Sequence, residues 1–305
     1  MKSIVINQPG QVVFREDPMP VAKEGEALLK LLYGGICGSD LGSYRGTYAY
    51  FDYPRIPGHE FSAEIVEVGE NDCTHCYSCR RGLVNCCTTN QTMGCQRDGA
   101  FSEYVAMPLE RIYDGKGVPP KTLALIEPFC ISYHGVSRAN IKPGDRVLVL
   151  GAGTIGVLAA VAAKSRGARV YVADVAEKKL QFAMDSFGLE GTLLNDSPEH
   201  FLEQVEAVTG GDGFDVTIEA VGLPSTFQNC IDAAAFGGRM VLPQRPEGGP
   251  PGAHRPGEGQ GRGPGEDCDQ RVQVRGRAGS ICRVRPQGRG NAQGGAGLYI
   301  RPGVR

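Results

Sequence analysis

No stretch of this 305-residue chain is apolar for long enough to cross a bilayer. The longest nearly apolar run, around Ile155 to Ala163, is about half of what a helical span requires. No secretory signal is expected, because Met1-Lys2-Ser3-Ile4-Val5-Ile6 meets Asn7-Gln8-Pro9-Gly10 far too early to form one. Without an export route, the 11 cysteines are expected as reduced thiols or metal ligands rather than disulfides. The cytoplasm is the expected compartment, and no membrane partner is expected. Internal repeats are lacking as well. The net charge is only −2, but it is unevenly spread. Residues 244–305 hold 11 Arg, no Lys and 5 acidic residues, which leaves 21 basic against 29 acidic groups in the remainder. The main body therefore gives no charge reason to seek nucleic acid.

What is present falls into three stretches. Residues 1–137 read as short strands and turns, with β-rich runs at Ile4 to Ile6, Val12 to Phe14, Glu26 to Leu32 and Phe61 to Val68. No long helical period precedes about residue 120, so a small all-β domain of barrel-like type is predicted. Residues 138–243 change to strand–helix alternation. Strands are predicted near 146–150, 169–173, 191–194, 214–218 and 238–242, with helices near 155–166, 176–187, 198–209 and 225–235. That spacing implies a doubly wound parallel sheet, an α/β domain. Residues 244–305 carry 16 glycines and almost no apolar periodicity, so disorder or poorly packed coil is predicted there.

The second stretch carries the sharpest motif. Arg146-Val-Leu-Val-Leu150 runs into Gly151, Gly153 and Gly156, with Thr154 and Ile155 between the last two, and a small-residue helix pattern follows. A buried strand, a tight turn and a helix N-terminus of this form can hold a dinucleotide pyrophosphate. Asp174 closes the next predicted strand, 18 residues after Gly156. Its carboxylate can accept from both ribose hydroxyls of NAD and would repel the 2′-phosphate of NADP, although Lys178 and Lys179 lie close by.

Two sets of metal-type residues lie in the first stretch. Cys73-x2-Cys76-x2-Cys79-x7-Cys87 offers four thiolates that can close around one tetrahedral zinc, the pattern of a structural site. Free or paired cysteines in a loop are the alternative. The second set is dispersed: Gly35-Ile-Cys37-Gly-Ser39-Asp40, then Pro57-Gly-His59-Glu60, then Glu127-Pro128. A thiolate, an imidazole and a carboxylate can form an incomplete zinc shell, whose open position would take a substrate alcohol and make its proton easier to lose. Taken singly, Cys37 could be a small core residue, His59 a turn residue and Glu127 a partner for an arginine.

These motifs, together with Asp98-Gly-Ala-Phe-Ser-Glu-Tyr104, follow one another as they do in the zinc-dependent medium-chain dehydrogenases. Residues 1–243 resemble most the polyol and sugar-acid branch, which includes sorbitol, threonine and hexonate 5-dehydrogenases. The resemblance implies a GroES-like catalytic domain followed by a Rossmann domain, with substrate in the cleft between them. It implies Cys37, His59 and Glu60 at the catalytic zinc, with Glu127 ligating directly or through water. Ser39 matches the hydroxyl that relays the alcohol proton, and Cys73, Cys76, Cys79 and Cys87 match the structural zinc. The implied reaction takes a secondary alcohol to a ketone as hydride passes to NAD. Carboxylates at Glu60 and Glu127 make a harder shell, which suits a polyhydroxylated small molecule. Tyr48, Tyr50 and Tyr53 fall in a pocket-lining loop of the family, or serve as ordinary loop packing. A family-like homo-oligomer is a further implication.

The chain also departs from the family. Only Glu70, Asn71 and Asp72 separate Glu67-Val-Gly69 from Cys73, where the family inserts a turn and a strand. After Gly237-Gly-Arg-Met-Val-Leu242 the family continues its sheet and returns to complete the catalytic domain, which nothing after Pro243 resembles. These departures leave an alternative reading, a non-catalytic zinc- and NAD-binding remnant. The tail composition resembles a GC-rich reading frame translated out of phase. Translation of the nucleotide sequence in the other frames decides that, by yielding a dehydrogenase-like C-terminus or none. Arg-Gly runs such as Arg262-Gly263 and Arg275-Gly-Arg277 could bind RNA, but Tyr299 is the sole aromatic among them.

Overall fold

Val5 and Ile6 in β1 (Lys2–Gln8) turn inward, whereas β2 (Gln11–Glu16) is largely exposed, with Phe14 open to solvent. The two strands pair antiparallel through a turn at Pro9-Gly10, where Gly10 adopts a φ of 76°. β3 (Glu26–Gly35) buries Ala27, Leu28 and Leu29 and is flanked antiparallel by β4 (Glu60–Val68) and β5 (Tyr104–Pro108). The structure is a computed structural model and describes residues 1–68 and 91–242, together with short strands at 273–275 and 298–301. By its contacts the chain forms two units, Met1–Glu127 and Pro128–Arg305.

One element of the first unit is not visible in the periodicity. α1 (Gly38–Arg45) is a helix of 8 residues between Cys37 and Gly46. Its sequence, Gly-Ser-Asp-Leu-Gly-Ser-Tyr-Arg, has two glycines and no apolar stripe, so neither propensity nor pattern announces it. Its ends are nevertheless well made. The Asp40 side chain accepts the Cys37 N–H, and Gly46 closes the helix in the left-handed region with a φ of 76°. The short α2 (Pro120–Leu123) precedes α3 (Ile126–Arg138).

In the second unit β6 (Arg146–Leu150), β7 (Arg169–Asp174), β8 (Gly191–Leu194), β9 (Phe214–Glu219) and β10 (Ala234–Val241) form a parallel array in the order β8-β7-β6-β9-β10. The strand period of two splits the core between the faces. Val147, Val149, Val170, Val172, Val216 and Ile218 pack with Ala159, Ala160 and Ala163 of α4 (Thr154–Lys164) and with Leu180 of α5 (Glu177–Phe187). Leu148, Leu150, Tyr171 and Leu193 pack on the other face with Phe201 of α6 (Pro198–Thr209) and Cys230 of α7 (Pro224–Asp232). β10 begins earlier than the sequence predicts, at Ala234. The apolar run is broken there by Gly237, whose φ is 82°, and the register with β9 shifts between Ala234 and Arg239. Beyond it, β12 (Leu298–Arg301) pairs antiparallel with β10 and parallel with β11 (Gln273–Arg275). The rest of the predicted tail lies outside the described residues, as does the shortened stretch after β4. Among the described residues no helix is long and apolar enough to cross a membrane.

Candidate functional site

Cys37 leaves the end of β3 as the N-cap of α1, and its N–H donates to Asp40 Oδ2 at 2.9 Å. The other oxygen of that carboxylate accepts the Gly58 N–H at 3.1 Å. Asp40 therefore ties the segment carrying Cys37 to the one carrying His59. It is 6% exposed. The His59 segment is held from a second side by residues 99–101: Gly99 N–H donates to Ile56, Ala100 to Gly58 and Phe101 to Pro57, at 2.7, 2.9 and 3.0 Å. A Cβ at Gly99 would lie 2.3 Å from the Pro57 carbonyl oxygen, so only glycine permits this approach. Glu60 opens β4 opposite Gly35 of β3, and a Cβ at Gly35 would lie 2.4 Å from Glu60 Oε2. Gly35 thus leaves the room that the carboxylate fills.

These supports bring the candidate ligand atoms of Cys37, His59 and Glu60 within 4.8 Å of one another. Ligands bonded to one zinc at roughly 2.0–2.3 Å lie within about 4 Å of each other, so a small inward movement would close the shell. His59 Nδ1 is buried and has no hydrogen-bond partner, unlike a histidine satisfied within a core. Burial disfavours the charged imidazole, but Cys37, Asp40 and Glu127 outweigh it and push its pKa up to about 9. Burial raises the Glu127 pKa, and the charge of Glu60 adds to the rise, while His59 opposes it. The donor set of one sulfur, one imidazole and one carboxylate suits zinc, and a second carboxylate at Glu127 stands in the same electrostatic field. The trio assembles although the stretch after β4 is short, so the positions that the resemblance assigns to zinc stay together, as they would in an enzyme or in a zinc-binding remnant.

Ser39 is half-buried in the first turn of α1, two residues from Cys37. Tyr53 is a packing residue: its hydroxyl donates to the Ser43 carbonyl and its ring lies 4.8 Å from that of Phe51. Tyr48 packs against Ile6, Phe51 and Cys95. Burial first, and then Cys95 and Cys37, push its pKa up to about 12. Cys73, Cys76, Cys79 and Cys87 lie outside the described residues. Asp40 is the residue that sequence reasoning passed over. An acid three residues after an N-cap was the available signal, but its bond to Gly58 spans 18 residues and no local pattern reveals it.

A second site stands at the C-terminal end of β6, where the sheet order turns outward in both directions. Gly151 has a φ of 103°, which favours glycine. A Cβ at Gly156 would meet the Gly151 carbonyl oxygen at 1.8 Å, so this position too requires glycine. Gly153, with open space around it, is the N-cap of α4, and no side chain caps the helix. Thr154 and Ile155 form the first turn of α4, and the Ile155 carbonyl accepts the Ser132 hydroxyl at 2.8 Å. The uncapped N–H groups of this turn suit an anion. Asp174 ends β7 beside them. Its carboxylate accepts the N–H of Ala152 at 2.8 Å and of Ala176 at 2.9 Å, and Lys179 Nζ lies 3.7 Å away.

Two family models match the chain: an alcohol dehydrogenase GroES-like domain over residues 23–116 and a zinc-binding dehydrogenase over residues 154–252. L-galactonate-5-dehydrogenase of Escherichia coli K12 is 37% identical over 258 residues, which is 79% of this chain and 75% of that protein. Sorbitol dehydrogenase of Halalkalibacterium halodurans is 32% identical, over 76% of this chain and 73% of its own length. Among solved structures, an Escherichia coli CFT073 protein described as a short chain alcohol dehydrogenase, in complex with NADH, is 33% identical. It matches with a TM-score of 0.72 over 79% of this chain and 75% of its own.

Proposed function

The chain belongs to the zinc-dependent medium-chain dehydrogenases, in their polyol branch, and from that membership we propose that it oxidises a secondary alcohol of a polyol or sugar acid to a ketone with NAD as hydride acceptor. The convergence of Cys37, His59 and Glu60 is the observation that carries this reading. These three would hold the catalytic zinc, with Glu127 joining directly or through water, and Cys73, Cys76, Cys79 and Cys87 would hold a structural one. A bound zinc supplies Lewis acidity that makes the alcohol proton easier to lose. Ser39 receives that proton at its Oγ and passes it outward. Glu60 and Glu127 keep the shell hard and polar, which favours a polyhydroxylated substrate over an aliphatic alcohol. The first turn of α4 holds the dinucleotide pyrophosphate, and Asp174 accepts from the ribose hydroxyls.

A hexonate is the first substrate class to try, because the 37% identical relative is named for one. The reaction belongs in the cytoplasm, where the thiolates stay available to zinc. Zinc-loaded protein should reduce NAD on at least one member of a panel of polyols and hexonates. His59→Ala should lose that activity together with one zinc per chain. Full zinc loading with no reduction of NAD or NADP across the panel would end the proposal.

A further inference from the structure

We infer that Glu219 is a positioning residue for the dinucleotide turn, acting through the loop that rests on Gly151; this builds on the dinucleotide reading above. Glu219 closes β9 and is 1% exposed. A buried carboxylate is unfavourable unless its oxygens are hydrogen-bonded, and here both accept. Oε1 accepts the N–H of Val221 at 2.9 Å, that of Gly222 at 3.0 Å and the Thr226 hydroxyl at 2.7 Å. Oε2 accepts Gly222 N–H at 3.1 Å.

All of these partners belong to the turn after β9 and to the start of α7, so the carboxylate fixes the path by which the chain leaves the strand. The turn is tied at its beginning to the end of β6, where Ala220 N–H donates to the Leu150 carbonyl at 2.8 Å. From there it lies on the glycine turn. A Cβ at Gly151 would be 2.8 Å from Val221 Cγ2 and 3.1 Å from the Ala220 carbonyl oxygen. The Gly151 carbonyl in turn is the atom on which Gly156 closes. An unbroken series of contacts therefore runs from Glu219 through residues 220–222 and Gly151 to the first turn of α4. Glu219 sits behind this series, and its role is to keep the turn at one height above Gly151. Glu219→Gln keeps the volume but turns an NH2 toward backbone N–H donors, so at least one bond is lost and the turn is released.

The test is fluorescence titration of NADH into the zinc-loaded full chain. Wild type is measured first: if it binds neither NADH nor NADPH, the dinucleotide reading fails and takes this inference with it. With wild type binding, Glu219→Gln should weaken NADH by about ten-fold or more, the loss expected for a charge-assisted bond. KM for NAD should rise in proportion, with kcat and zinc content within about two-fold of wild type, since the bound reactants are unaltered. Thr226→Val should shift affinity in the same direction by less, and Glu219→Asp should restore part of it. A folded Glu219→Gln protein that binds NADH like wild type overturns the inference. If that variant does not fold, Thr226→Val decides: weakened binding supports the role and unchanged binding overturns it.

Discussion

Asp40 accepts one N–H from Cys37 and one from Gly58, so a single carboxylate sets the distance between the loop of the thiol and the loop of the imidazole. Asp40→Asn keeps the shape but turns an amide NH2 toward one of those donors. Supports of this kind cost about 10–100-fold in metal affinity when lost. Zinc competition against a chromogenic chelator should show a weakening in that range, and an unchanged affinity would remove Asp40 from the site. Gly35→Ala should act similarly by driving the Glu60 carboxylate aside. The candidate donors were legible as a set, through the order of motifs that resembles the family, because taken singly each has an ordinary core, turn or ion-pair reading. Their supports were not, because a glycine and an acid acquire these roles only through contacts distant in sequence. Cys230 shows how surroundings change a residue: burial first, and then the charge of Glu219, raise its pKa, against a hydrogen bond with Thr217. Fully enclosed, its thiol is held well above its ordinary pKa of 9.0. The folded chain therefore keeps a proton that the unfolded chain releases above about pH 9, and stability falls as pH rises through that range. Urea midpoints of wild type and Cys230→Ala should draw closer between pH 8 and 10, as wild type loses this contribution. Parallel curves across that interval would refute it.

Elements were legible in proportion to their periodicity. The strands and helices from β6 to α6 carry clear alternation or small-residue faces, and the structure places them within a residue or two of expectation. α1 was not legible because its helix is built from its ends inward, by Asp40 and Gly46, rather than by an apolar face. The glycine turn is the opposite case, since each of its glycines was visible and the structure gives each a separate reason. Gly151 needs its backbone angle, Gly153 leaves open space, and Gly156 needs contact with the Gly151 carbonyl. The positions therefore differ in tolerance. Gly156→Ala, with its Cβ 1.8 Å from that oxygen, must displace α4 or the turn. It is expected to abolish measurable NADH binding and lower Tm. Gly153→Ala meets no neighbour and should leave Tm nearly unchanged while still hindering the dinucleotide. Equal Tm losses in the two variants would contradict this ordering.

At the scale of the whole chain, the metal-type residues that the structure describes lie in Met1–Glu127 and the dinucleotide turn lies in Pro128–Arg305. Each of the proposed ligands should therefore stabilise mainly the unit that holds its residues. A ligand bound only to the folded form adds stability that grows with its excess over Kd, about 2.7 kcal/mol at one hundred times Kd. If zinc sits as proposed, its chelation would remove charge neutralisation from Cys37 and Glu60, while the core around Val147, Leu148, Val149 and Leu150 would be left intact. Limited proteolysis read by mass spectrometry separates the two effects. With chelator, cleavage should rise within residues 1–127 first, and NADH should protect residues 128–242 whether or not zinc is present. The controls are His59→Ala, which should mimic chelator in the first unit, and Gly156→Ala, which should lose NADH protection in the second. Protection of both units by either ligand alone would show that the units respond as one body, and the assignment of each ligand to its own unit would then fail.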